Sequence, residues 1–200
     1  MRRRRSGRTK YKSRTHIGVI AEDDSDIAVV DLLIGKLAKT PYVIRPVAAN
    51  GSGKIVGKCR GWAQNLRDQG CRYLFVVHDL DVRRVSELTH QLREALRPSP
   101  IDPHLIVIPV REIEAWLLAD HVAITKAMKL KEKLKMVPNP EALHRPKEYL
   151  ADLVYKKSRR TRRYVNAVDN AKIANLCVPS NLLRCPSFGP FERFVKHYLR

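Results

Sequence analysis

Residues 73–78 read YLFVVH, a run with no position left to face water. A strand that is apolar on both sides must be covered on both sides. That is the situation of inner strands in parallel sheets, where crossover helices pack over each face. Neighbouring segments repeat the signal: HIGVIA at 16–21, YVIRPVA at 42–48, which Pro46 is expected to break, and LIVIPV at 105–110. Between them lie stretches with helical spacing. The first carries Ile27, Val30, Leu33, Ile34 and Leu37, with Asp24 or Ser25 as its N-cap; the second covers 54–68 and stops at Gly70; the third covers 82–96 and ends before Pro98. This βαβαβαβ alternation predicts an α/β fold, an open and mostly parallel sheet with helices on both faces. After Asp120 the strand signals fade, and helices are expected over 141–155, 163–176 and 187–199. The expected organisation is a flexible basic arm (1–15), an α/β core (16–125) and a helical C-terminal extension packed on that core (126–200).

The charge balance narrows the partners. Lys and Arg number 39 against 20 Asp and Glu, a net charge of +19. Such a field draws polyanions, so DNA or RNA is the expected partner. Two tracts concentrate it. Arg2, Arg3, Arg4 and Arg5 open the basic arm, and Lys156, Lys157, Arg159, Arg160, Arg162 and Arg163 form a run without an acid. Lys54, at a helix start after a glycine-rich turn, and Lys147 are further candidates for phosphate contact. Gly51-Ser52-Gly53-Lys54 is not a Walker A loop, because Ala48 and Ile55 stand where that pattern needs Gly and Ser or Thr. No apolar run approaches the roughly 20 residues of a membrane span, and no apolar stretch follows the leading arginines as a secretory signal would require. Cys59, Cys71, Cys177 and Cys185 form no C-x-x-C pair, which argues against a zinc knuckle and fits reduced packing thiols in the cytoplasm.

Acidic residues gather where three of the strands end. Glu22-Asp23-Asp24 follows the first, Asp79-x-Asp81 the third, and Glu112-x-Glu114 the fourth. Ligands of open α/β sheets bind outside the carboxyl ends of the strands, so these acids are expected to share one crevice. Carboxylates so close repel one another, and a hard divalent cation relieves the conflict. Asp79 and Asp81 are two apart and in an extended chain point to the same side. Glu112 and Glu114 diverge by about 200° if their segment is helical. Glu112 is then favoured as nearer the strand end, with Glu114 close behind. His78 is expected to turn away from Asp79 and pack, and Trp62 and Trp116 to be core or interface residues.

These motifs resemble the Toprim superfamily of topoisomerases, primases and OLD-type nucleases. The resemblance rests on Glu22 in VIAEDDSD, on Asp79 and Asp81 in VVHDLD, and on IPVREIEAWLLAD, which resembles a further motif of a poorly characterised prokaryotic Toprim-like family often encoded beside an ATPase. The pattern continues in Pro138-Asn139-Pro140-Glu141, Pro146-Lys147 and Ser187-Phe188. One departure is Asp23, where many Toprim domains carry Gly. The resemblance implies a nuclease using Mg²⁺ or Mn²⁺. Glu22 would be a ligand or acid–base, Asp79 and Asp81 metal ligands, and Glu112 or Glu114 a ligand of a second site. It also implies a role in prokaryotic defence or DNA repair with a partner ATPase; a homodimer is a further expected assembly. Two other readings compete. A receiver-like phospho-acceptor domain shares the acids but needs a Lys trailing a fifth strand, and a non-enzymatic nucleic-acid-binding protein explains the charge but leaves the acids idle.

Overall fold

The computed structural model describes residues 14–51 and 53–200, so Arg2, Arg3, Arg4 and Arg5 lie outside the described residues. Four strands, β1 (Thr15–Ala21), β2 (Tyr42–Ala48), β3 (Tyr73–Val77) and β4 (His104–Val107), form one sheet in the order β2-β1-β3-β4. Every pairing is parallel. The period-two alternation of strand side chains divides the core. Ile17, Val19, Ala21, Tyr73, Phe75 and Val77 face one hydrophobic cluster, while Ile20, Leu74 and Val76 face another. The fully apolar β3 thus feeds both layers.

Helices α2 (Gly53–Asp68) and α3 (Val85–Leu96) cover the second face. Gly18 lets α2 approach β1, since a Cβ there would stand 2.9 Å from Leu66 Cδ1. The first face is covered by α1 (Asp24–Leu37) together with the chain beyond the sheet: α4 (Glu114–Leu118), α5 (His121–Ala127), α6 (Pro146–Lys157), α7 (Asn166–Leu176), α8 (Pro179–Leu182) and α9 (Phe188–Tyr198). An aromatic group locks α4 and α9 onto β3. Trp116 and Phe188 stand 5.1 Å apart, and Phe75 and Phe191 5.4 Å apart, centroid to centroid. The helices after residue 126 therefore share a core with the sheet. Among the described residues, no helix is long and apolar enough to cross a membrane. All four cysteines are free and buried.

Several boundaries differ from the sequence reading for physical reasons. Pro46 does not break β2, which pairs with β1 on one side and is otherwise an edge. Its nitrogen faces outward: the Ala49 N–H donates to the Ala21 carbonyl and the Pro41 carbonyl accepts from Thr15, so odd-numbered residues turn toward β1 and Pro46 away from it. The N-cap of α1 is Asp23, not Asp24 or Ser25; its Oδ1 accepts from the backbone N–H groups of Ser25 and Asp26 at 2.7 and 3.1 Å. Helix α3 starts three residues later than its apolar spacing suggests, because Asp81 adopts a left-handed φ of 51° and the chain turns there. β4 is shorter and less buried than LIVIPV implies, since it lies at the sheet edge.

Candidate active site

The strand order fixes where a site can form. Chain progression reverses between β1 and β3, and the crevice at such a reversal lies beyond the strands' carboxyl ends. Glu22 follows β1 and Asp79 follows β3, on the two sides of that crevice. The Asp79 N–H donates to Glu22 Oε1 at 3.2 Å. His78, fully buried, holds the same oxygen: its Nδ1 lies 3.0 Å from Glu22 Oε1 and 2.7 Å from the Asp79 carbonyl. Both neighbours are acceptors, so Nδ1 carries the proton and fixes the Glu22 carboxylate. His78 is therefore more than a packing residue. Its Nε2 is buried without a partner among the described residues.

Two further carboxyls close on this pair. Asp26, in the first turn of α1, is buried, and its pKa is pushed up to about 8 by burial and then by the charges of Asp23, Glu114 and Glu22. Glu114 opens α4 and is buried too. Its Oε1 accepts from Tyr164 Oη and Asn170 Nδ2, each at 3.1 Å, and Tyr164 also bonds Asn170 Oδ1. Asp79 is held well above the usual carboxylate range by burial and by Asp26, Glu114, Glu22 and Asp81. Glu22, Asp26, Asp79 and Glu114 thus form one mutually repelling group at the head of the sheet.

Asp81 and Glu112 sit further out. Asp81 is exposed, its pKa raised by burial of part of the side chain and by Glu22. Its N–H donates to the Arg111 carbonyl at 2.9 Å, and Arg111 Nη1 returns a bond of 2.8 Å to the Asp81 carbonyl. Arg111, like Asp81, has a left-handed φ, 67°, so the loops after β3 and β4 are clamped together in conformations non-glycine residues seldom adopt. Glu112 Oε2 accepts from the backbone N–H of Lys147 at 2.8 Å and anchors the start of α6. Its pKa is raised by burial despite that bond. Glu112 and Glu114 therefore diverge, and it is Glu114 that joins Asp79 and Asp26. A cleft of about 460 Å³ between Asp81, Arg111, Glu112, His144, Arg145 and Glu148 opens beside the group.

Sequence reasoning missed Asp26, although a signal existed: it lies one turn before Val30 on the buried stripe of α1. Nothing local marks Tyr164 or Asn170. The remaining motif residues brace α4. Trp116 Nε1 donates to Ser187 Oγ at 2.7 Å, which in turn bonds Glu141 Oε1 at 2.5 Å. Asp120 Oδ2 accepts from the Val178 N–H and from Asn181 Nδ2, each at 2.9 Å. Of the expected phosphate contacts, Lys54 is exposed on the first turn of α2, and Lys147 is exposed at the start of α6 beside Glu112. The Lys156–Arg163 run lies at the other end of α6.

The donor set is all carboxylate oxygen, the chemistry of a hard cation. Among the described residues, no three His, Cys, Asp or Glu side chains stand close enough to hold one ion together. The group therefore fits an ion held through one or two carboxylates with water completing its shell, the usual habit of Mg²⁺, and not an all-protein cage.

Residues 35–196 match the family described as "Domain of unknown function (DUF4276)", most of the chain's 200 residues. The chain belongs to that family. The match takes in Asp79, Asp81, Glu112 and Glu114, while Glu22 and Asp26 precede it. No curated protein and no solved structure matches the chain.

Proposed function

We propose that this chain is a nuclease that hydrolyses phosphodiester bonds of DNA or RNA with Mg²⁺ or Mn²⁺. The observation that carries the reading is the meeting of Glu22 and Asp79, just after β1 and β3, with Asp26 and Glu114, in the first turns of α1 and α4, in the crevice where the strand order reverses. Mutual repulsion on that scale is unfavourable in a merely structural cluster and is characteristic of functional sites. The Toprim resemblance carried by Glu22, Asp79, Asp81 and the segment holding Glu112 and Glu114, and the net charge of +19, support it further. One or two of Glu22, Asp79 and Glu114 would hold the cation, with water completing its shell, Asp81 at the rim and Glu112 at the mouth. The ion would supply polarisation of a phosphoryl oxygen and activation of water. His78 keeps the Glu22 carboxylate oriented, and Asp26 retains its proton near neutrality, which limits the negative charge facing a phosphate. The exposed Lys54 and Lys147, together with Arg2 to Arg5 of the basic arm, would hold the nucleic-acid backbone. A partner ATPase and a cytoplasmic role in prokaryotic defence or repair belong to the same proposal.

The test is cleavage of end-labelled DNA and RNA with Mg²⁺, with Mn²⁺ and with EDTA. Cleavage that needs the metal and falls at least about a hundredfold in Asp79→Asn is expected, as for loss of a group acting on the transition state. Equal cleavage by the variant and the parent protein would sink the reading. A phospho-acceptor domain shares the strand order, but among the described residues the sheet has four strands and no fifth to carry a trailing Lys.

A further inference from the structure

At the end of α6 away from Glu112, a cavity of about 450 Å³ lies between the turn after α5 and the turn after α6. Its charged wall is Lys129, Lys131, Glu132, Lys157, Arg159 and Arg162, five cations and one acid. The acid is already taken, since Lys157 Nζ lies 3.0 Å from Glu132 Oε2. Arg162 is tied by Nη1 to the Met128 carbonyl at 3.1 Å, which braces one turn against the other. Lys129, Lys131 and Arg159 are exposed, and among the described residues none has a carboxylate within ion-pair distance.

Backbone conformation adds a second, independent observation. Lys129, Arg159 and Arg160 have left-handed φ values of 49°, 57° and 67°. Such positions after a helix end favour glycine, and a long side chain there is strained. The ordinary reason for cations at helix ends, compensation of the helix dipole, is already met by Lys126 in the last turn of α5 and by Lys156 and Lys157 in that of α6. The strained cations at 129 and 159 are left with one evident use, a concentrated anion-binding field. The volume lies within the range of about 300–1,000 Å³ that encloses a whole small ligand, more than phosphate oxygens alone require.

We propose that this cavity is a phosphate-binding pocket that grips one nucleotide unit of a bound strand. The inference rests on the reading of the chain as a protein acting on nucleic acid, and it adds a discrete anchor apart from the acidic group. Helix α6 runs from Glu112, at the mouth of the cleft, to the pocket at its other end. Twelve residues at about 1.5 Å each give a separation near 18 Å. That is roughly five base-pair steps of duplex at about 3.4 Å. The anchor would thus lie about that far along a strand from the mouth of the cleft at Glu112.

The double variant Lys129→Gly/Arg159→Gly tests this without threatening the fold, because glycine suits both positions. A control, Arg60→Ala/Arg67→Ala, removes the same charge from exposed positions of α2 on the opposite face of the sheet. Binding of fluorescein-labelled single-stranded and duplex oligonucleotides is followed by anisotropy in EDTA, so that no cleavage is needed. The glycine variant should match or exceed the parent in Tm, bind about ten-fold more weakly, and lower the salt slope by about one to two, while the control loses distinctly less. Competition by ATP that the glycine variant loses would assign the pocket to free nucleotides as well; failure of ATP to compete would assign it to strands. Equal affinity of the glycine variant and the parent, or equal losses in variant and control, would overturn the pocket. If the parent binds and the pattern holds but nothing is cleaved in Mg²⁺ or Mn²⁺, the nuclease reading fails and the pocket stands.

Discussion

Asp26 shows how an ionisable side chain inside this crevice couples stability to pH. In the unfolded chain its carboxyl releases a proton near 3.8; in the folded, metal-free protein it holds on until about 8. Stabilisation by the buried neutral acid is thus full below the unfolded value and is lost as pH climbs through the window between the two. Asp26→Asn cannot ionise. It should melt several degrees above the parent protein at pH 8 in EDTA, with the gap closing toward pH 4, in thermal scans. A gap independent of pH would mean that charge repulsion is not its cause. The acids at strand ends were legible because a strand followed by Glu or Asp is visible in one dimension. The partners of Glu114 were not: Tyr164 and Asn170 lie 50 and 56 positions away and meet it only through packing of α7 and the segment just before it. His78 is buried as expected, but its bond to Glu22 was not legible, because strand alternation ceases at Val77, where β3 ends.

At the scale of elements, the short helix α4 is held by burial of all five of its residues, and Asp120, just beyond it, ties the start of α5 to α8. Burial pushes the Asp120 carboxyl up, but bonds from the Val178 and Ala123 N–H groups, the Asn181 amide and the Val122 N–H outweigh it, and the net value is lowered. That contribution is present above 3.8 and lost as pH falls through the depressed folded value. Asp120→Ala strands several donors at once and should cost at least about 3 kcal/mol in urea unfolding. The two glutamates of the same segment separate by role. Glu112→Gln should cost about 1 kcal/mol through the weakened start of α6 and leave measurable cleavage. Glu114→Gln should abolish cleavage while retaining the fold by circular dichroism. The reverse pattern would transfer the chemistry to Glu112. Long elements with apolar periodicity were readable in the sequence. Helices α5 and α8, of seven and four residues, were not, because they are too short to establish a period.

For the whole molecule, the net charge of +19 makes ionic strength the dominant variable. Affinity for a 20-base-pair DNA should fall about a hundredfold or more between roughly 50 and 200 mM salt, with a linear log–log plot by anisotropy. A flat plot would argue against backbone contacts. The sheet itself has one flank closed to growth. With its nitrogen turned outward, Pro46 removes a hydrogen-bond donor from the middle of the free rim of β2, so an incoming strand meets an interrupted template. Replacing that proline by valine would restore an unbroken row of donors along seven residues. One imino acid thus leaves that rim a poorer template for pairing with another strand.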